Sequence, residues 1–270
     1  MDLPGYLDRI GFDGAPRADL DTLTRIHRLH LNAIPYENLD VLLGNPLDFD
    51  IARIFDKLVT RKRGGWCYEM NGLFSWALEE IGFKLTRMAG GVHRTHLGDR
   101  AIGNHLVLLV HLERDYIADV GFGDGLYEPA PLREGPISQH GFESRLVGAA
   151  DGFWRYHNHQ NGSAPTFDFR AEAADPALLA SVSEFLKTSE QSPFTQNVVF
   201  QRRWPGRVEA MRNSIRITAT PEKLTRRLMS GPDEMLSEMR DVFGVDVPEA
   251  RTLWPLAERR GRIMVSEHPL

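Results

Sequence analysis

Apolar residues recur at steps of three and four along the first third of the chain and at steps of two in the middle third. Between residues 19 and 34, Leu20, Leu23, Ile26, Leu29 and Leu31 form a helical stripe, with Asp19 or Asp21 available as N-cap and Pro35 as the stop. A second helix is predicted over 51–59 behind the N-cap candidate Asp50. A third is predicted over 67–81, where Tyr68, Phe74, Leu78 and Ile81 keep helical spacing and Gly82 stands at the C′ position. After Gly82, residues 83–94 read as one or two short strands interrupted by Gly90-Gly91. Residues 105–112 read as a buried strand, and 116–120 as its hairpin partner across Glu113-Arg114-Asp115. With further strands over 153–157 and 166–170, the middle third predicts an antiparallel sheet or small barrel. Asp175-Pro176 then opens a helix to about residue 190, as an N-cap followed by proline. Beyond it, 198–202 and 214–219 read as strands, while Thr220-Pro221, Pro232 and Pro248 introduce short helices. The pattern is that of a mixed α+β chain with no internal repeat.

Composition narrows the function classes. The 270 residues are 42% hydrophobic and 26% charged, as in ordered globular proteins. The longest aliphatic run, 106–110, is far short of the roughly 20 residues a bilayer span requires, so no membrane partner is expected. A net charge of −5 argues against a broad nucleic-acid surface. Met1-Asp2-Leu3-Pro4-Gly5 has neither the basic nor the apolar part of a signal peptide, and a lone cysteine forms no intrachain disulfide; the expected compartment is the cytoplasm.

That cysteine, Cys67, follows Gly64-Gly65-Trp66 and opens a predicted helix. The unpaired N–H groups and positive dipole end of a first turn favour a thiolate, so Cys67 is either a nucleophile or a small buried apolar residue. His105 opens the aliphatic strand and Asp119 lies near the end of the returning one. Opposite ends of one hairpin can set an imidazole beside a carboxylate, the base and the orienting group that a thiol nucleophile needs. Gly121-Phe122-Gly123-Asp124-Gly125 follows at once. A glycine-rich turn after a strand can cradle phosphate, but Leu126-Tyr127-Glu128-Pro129 opens no helix, so a dinucleotide fold is not supported. The turn is read instead as close backbone approach beside Asp119, with Phe122 offered to the cleft. His27 and His30 sit three apart with no third ligand at a telling spacing, so no metal site is expected.

Arg63-Gly64-Gly65-Trp66-Cys67-Tyr68-Glu69, His105 leading its strand, Asp119-Val120-Gly121-Phe122-Gly123 and, upstream, Ile34-Pro35-Tyr36-Glu37-Asn38-Leu39 together closely resemble the arylamine N-acetyltransferase family. The resemblance covers most of the chain. It implies a helical bundle over 1–82 carrying the nucleophile, an antiparallel β-barrel over 83–175 carrying His105 and Asp119, an interdomain helix over 176–195 and an α/β lid over 196–270, around a cysteine-protease-like Cys-His-Asp core. It further implies Cys67 as the acetylated nucleophile, His105 as its base and Asp119 as the orienting carboxylate. Tyr36 and Phe122 become the expected pocket walls, Phe194 and Phe200 are read as plain core with a place in the pocket wall as the alternative, and Gly121 and Gly123 are the places where CoA nears the backbone. The reaction implied is ping-pong: acetyl-CoA donates, as a substrate with no permanently bound cofactor, and an arylamine or hydrazine accepts. The chain is expected as a monomer or homodimer. Glu37 and Arg63 are predicted to pair and hold the loop that carries Cys67. Arg61-Lys62-Arg63 and Arg202-Arg203 are read as solvated faces, with attraction of CoA phosphates as the alternative. On chemistry alone three rivals stay open: a related amide synthase of secondary metabolism, a cysteine hydrolase or transglutaminase, and a non-catalytic carrier of aromatic ligands.

Overall fold

A computed structural model describes residues 1–267, and its elements follow the change of period along the chain. The N-terminal part contains α1 (Leu3–Ile10), α2 (Leu20–Ala33), a two-residue strand β1 (Tyr36–Glu37), α3 (Leu39–Leu42), α4 (Ile51–Phe55) and α5 (Cys67–Ile81). Asp19 caps α2 by accepting the Thr22 N–H at 2.8 Å. Residue Gly82, in the left-handed conformation, closes α5 as expected. The helix expected over 51–59 passes after Phe55 into one π turn, Asp56–Thr60, in which Lys57 is buried. Helix α1 was not foreseen, although Asp2 caps it through the Gly5 N–H at 2.7 Å and Gly11 ends it; its eight residues carry too short a stripe to read.

Eight antiparallel strands form the central sheet, a nearly closed barrel: β2 (Lys84–Val92), β3 (His105–His111), β4 (Asp115–Ala118), β5 (Ala130–Pro131), β6 (Gly135–Gln139), β7 (Phe142–Gly148), β8 (Trp154–His157) and β9 (Thr166–Phe169), in the order β5-β4-β3-β2-β9-β8-β7-β6. A short helix, α6 (Arg94–Leu97), stands between β2 and β3. The uninterrupted apolar run of β3 has a simple cause: both of its faces are covered. Leu108 and Val110 pack with the N-terminal helices, while Val107 and Leu109 point into the barrel with Met88, Phe167 and Phe169. Strand β2 is continuous through Gly90-Gly91, where an interruption was expected. The glycines there make room rather than end pairing: a Cβ at Gly90 would stand 3.1 Å from His105 Cδ2, and one at Gly91 2.9 Å from Ile102 Cδ1.

The last third begins with α7 (Pro176–Thr188), capped by Asp175, and α8 (Pro193–Gln196). A second sheet, in the order β1-β10-β11-β12-β13, then joins β10 (Val199–Trp204), β11 (Arg207–Arg212), β12 (Ile215–Ala219) and β13 (Leu224–Leu228) to the N-terminal strand β1. Helices α9 (Pro232–Asp241) and α10 (Trp254–Glu267) complete it, with a 3₁₀ turn at Pro248–Leu253 before α10. Thr220-Pro221 makes the turn between β12 and β13 and not the expected helix, because the chain reverses at once into pairing of Ala219 with Leu224. No helix among the described residues is long and apolar enough to cross a membrane.

Candidate active site

The loop before Cys67 is built from below. Gly65 is stitched to β1, its carbonyl accepting the Glu37 N–H at 3.0 Å and its own N–H donating to Pro35 O at 3.3 Å. A side chain at Gly64 would run into the Pro35 carbonyl, and a Cβ at Gly65 would lie 2.9 Å from the Glu69 side chain. Beneath the loop is a buried set of charges. Arg63 donates to Glu37 Oε1 through Nε at 3.0 Å and Nη2 at 2.7 Å, the expected pair, and reaches Asp40 at 3.1 Å. Lys57 Nζ meets Asp40 at 2.7 Å and Glu69 at 2.8 Å. Burial alone would depress the Lys57 ammonium, but Glu69, Glu37 and Asp40 outweigh it and push its pKa up to about 12. Burial would likewise raise Asp40, yet Lys57 and Arg63 bring it down to about 2.

Lys57→Met leaves Asp40 and Glu69 facing each other without their shared cation. An unfolding free energy lower by about 3–5 kcal/mol is expected from denaturant titration, and a loss under about 1 kcal/mol would show that the network does not hold the loop. The sign with pH follows from the two shifts. Asp40's contribution is present above its ordinary value of about 3.9 and fades as pH falls towards 2, whereas that of Lys57 is present below about 10.5 and fades as pH rises towards 12. Burial already raises the Glu69 carboxyl, and loss of Lys57 raises it further, so the deficit of the variant should be largest near neutral pH and shrink as acid protonates Glu69.

Cys67 is the first residue of α5 and is buried. The first helical hydrogen bond runs from the Met70 N–H to Trp66 O at 2.9 Å, so the N–H groups of Cys67, Tyr68 and Glu69 precede the ladder. His105 Nε2 donates to Asp119 Oδ2 at 2.7 Å, and both residues are 2% exposed, which removes water from the pair. The register explains how they meet. Pairing of Leu108 with Ala118, carried one step further, sets Asp119 opposite Val107, and His105 is the diagonal neighbour on that face. With Nε2 engaged by Asp119, Nδ1 is the ring nitrogen left for the thiol. Burial would lower the His105 pKa, but the charge and hydrogen bond of Asp119, with a further contribution from Cys67, push it up to about 10. Burial works against Asp119 as an anion in the same way, and His105, Asn71 and Gly121 together hold its carboxyl below the usual range.

Asn71, which sequence reasoning passed over, and His27, weighed there only as a metal ligand, hold Asp119 in place. Asn71, one turn beyond Cys67 on the same face of α5, donates to Asp119 Oδ1 at 2.8 Å and to Leu106 O at 2.6 Å, and accepts the Val120 N–H at 3.0 Å. The i+4 step from Cys67 was the available signal. His27 accepts the Asp119 N–H at Nε2, 3.1 Å, which fixes its proton on Nδ1, donated to Tyr127 O at 3.0 Å. Burial takes the His27 pKa down to about 4, so it serves as a neutral acceptor. No metal-ligating cluster exists among the described residues, and His30 bonds to the Tyr6 hydroxyl.

A cleft of about 820 Å³ opens onto Cys67 and His105 and is lined by Tyr36, Gly121, Phe122 and Phe194, whereas Phe200 is plain core, fully buried on the other face of its sheet against Phe243. The Phe122 ring centroid stands 5.5 Å from that of His105, and Phe194 packs edge-on against Trp66 at 5.6 Å. Burial, with the charges of Cys67 and Glu69 behind it, keeps the Tyr36 phenol protonated. Gly121 makes the close backbone approach expected beside Asp119: a Cβ would lie 2.8 Å from Cys67 Cα and 2.6 Å from Asn71 Nδ2, so the turn is pressed against the first turn of α5. Gly123 is outside the cleft lining. It has φ +84°, and a side chain there would collide with Gln201. The two basic runs are also placed elsewhere. Arg63 is in the buried network, Arg61 pairs with Asp56 at the surface, Arg202 bonds to the carbonyls of Asn32 and Val242, and Arg203 lies over Phe142 at 4.1 Å.

Comparison with known proteins gives one consistent result. A family model described as N-acetyltransferase matches residues 19–252. The chain is 43% identical over 211 residues to an arylamine N-acetyltransferase of Mycolicibacterium smegmatis, spanning 72% of this chain and 74% of that one. The solved arylamine N-acetyltransferase of Nocardia farcinica superposes with a TM-score of 0.86 at 32% identity, over 96% of each chain. That of Mycobacterium marinum, in complex with CoA, superposes with a TM-score of 0.83 at 28% identity, over 96% of this chain and 99% of that one.

Proposed function

Since the chain belongs to the arylamine N-acetyltransferase family of acyltransferases, we propose that it moves an acetyl group from acetyl-CoA to the nitrogen of an arylamine, arylhydrazine or hydrazide, by a ping-pong route through an acetyl thioester on Cys67. The observation that carries this reading is the cleft itself, in which the lone cysteine heads a helix beside a buried imidazole already bonded to a carboxylate. In the first half-reaction the Cys67 sulfur attacks the thioester carbonyl carbon, the carbonyl oxygen takes the charge near the first-turn N–H groups of α5, and the C–S bond to CoA breaks as His105 returns a proton to the leaving thiol. In the second, the amine nitrogen attacks the acetyl-Cys67 carbonyl, His105 removes its proton, and the Cys67 sulfur leaves as thiolate. Asp119 keeps the ring orientation and stabilises the imidazolium throughout. The aromatic walls exclude water, which would otherwise hydrolyse the intermediate.

The test is intact-protein mass after mixing with acetyl-CoA alone, followed by addition of aniline. One added acetyl group with stoichiometric release of CoA, then discharged by the amine, is the expected result. No adduct and no CoA release would overturn the reading.

A further inference from the structure

The far wall of the cleft is one face of the second sheet. Val208, Ala210, Ile215, Ile217, Ala219 and Leu224 alternate along β11, β12 and β13 and turn their side chains to the cleft, Val199 and Gln201 of β10 join them, and the two cations on this wall are Arg212 and Arg226. The two are set two strands apart, Arg212 in the row of Ile215 and Arg226 in the next row, opposite Ile217.

Arginines on the two faces of this sheet are treated differently. On the face turned away from the cleft, Arg207, Arg216 and Arg227 each meet a carboxylate, from Glu209, Glu234 or Glu238, and Arg202 bonds to the carbonyls of Asn32 and Val242. On the other face none of Arg203, Arg212 and Arg226 meets a carboxylate among the described residues. Arg203, with two buried donors unmatched, lies over Phe142 outside the cleft lining, while Arg212 lines the cleft with its Nε–H buried and without an acceptor. Burial followed by the charge of Arg260 lowers the Arg212 pKa, and Arg212 in turn helps to lower that of His93. The single acid in the cleft lining, Asp124, is engaged by Asn158 and by the Ser163 N–H. Leaving a buried guanidinium donor unsatisfied costs stability that an anion would restore.

Building on the acyl-transfer reading of the cleft, we propose that Arg212, seconded by Arg226 at the rim, binds an anionic group, phosphate or carboxylate, on a substrate entering beside Cys67, and so makes the protein selective for anionic substrates. Two sources carry that chemistry: the phosphates of the acyl donor and a carboxylate on the aromatic acceptor. A planar, always-charged fork suits either one.

Equilibrium binding separates them without requiring any acyl transfer, so the outcome does not depend on the role of Cys67. Calorimetry would compare CoA with pantetheine, and 4-aminobenzoate with its methyl ester, on the native protein and on Arg212→Met and Arg212→Lys. The expected result is a native preference for the anionic member of at least one pair that falls about ten- to a hundredfold in Arg212→Met and is largely kept in Arg212→Lys. A fall in the first pair identifies phosphate as the source, and a fall in the second identifies carboxylate. Preferences in both pairs that survive Arg212→Met within about twofold, or their absence from the native protein, would overturn the proposal. Should Arg212→Met fail to fold, salt dependence of the native protein decides: the anionic member must weaken more steeply than its neutral partner as ionic strength rises about tenfold, and parallel slopes would count against Arg212.

Discussion

Cys67→Ala is expected to give no acyl-enzyme with acetyl-CoA and to lower acetyl transfer at least about 10⁴-fold, because the variant has no group able to hold the acetyl between donor and acceptor. In the proposed ping-pong route every acetyl group passes through the thioester, so nothing downstream of it can compensate for its loss. Folding should be little affected. Cys67 packs among Tyr36, Trp66, Tyr68 and Leu106, and removing one sulfur from that cluster costs about 1 kcal/mol. The checks are intact mass and steady-state CoA release, with a thermal melt as control. Residual transfer within about tenfold of the native rate would mean that the amine attacks acetyl-CoA directly, and Cys67 would revert to a packing residue.

Asp119→Asn should lower kcat/KM about 10³–10⁴-fold with the fold intact, and the hydrogen bonds dictate why. Asp119 Oδ1 accepts from both Asn71 and the Gly121 N–H, so an asparagine keeps its oxygen on that side and turns its NH₂ towards His105. The ring nitrogen Nε2 then has to accept, the proton moves to Nδ1, and the nitrogen facing the thiol is no longer a base. The His105 pKa, held up at about 10 in the native chain, should fall below its ordinary value of about 6.5 once burial acts without the carboxylate. Imidazole carbon chemical shifts followed across pH would show this directly. Stability supplies a second readout. The raised His105 contributes fully below about pH 6.5, and its contribution is lost as pH rises towards 10; the depressed Asp119 contributes above about pH 3.9, and that contribution is lost in acid. The Tm difference between native and variant should thus peak between about pH 4 and 6.5 and shrink on either side. A variant with near-native kcat/KM and an unshifted histidine would reduce Asp119 to a packing role.

The two largest effects fall on residues legible in the sequence, while the residues that hold them there were not. Helix α5 could be read in full because its apolar spacing, the glycines ahead of it and Gly82 behind it are local signals. The same holds for the caps Asp19 and Asp175. Cys67, His105 and Asp119 stood out because a unique cysteine, a histidine leading an aliphatic run and an acid before a glycine turn each combine a rare residue type with a marked position.

What escaped was decided by contacts distant in sequence. Strands β6, β7, β11 and β13 are polar or mixed along their length and declare themselves only through pairing, which is why the cleft wall bearing Arg212 went unseen. Basic residues that look alike in sequence end in opposite settings: Arg63 in an ion network, Arg203 against an aromatic ring, Arg212 facing the cleft without a carboxylate among the described residues. His27, with an apolar helix around it, gave no hint that its ring would accept the N–H of a residue 92 positions away. Period and capping are properties of neighbouring residues and survive in a linear string. Register, burial of charge and the partner of a buried donor arise only when the two sheets and the helices pack, so these the tertiary structure alone decided.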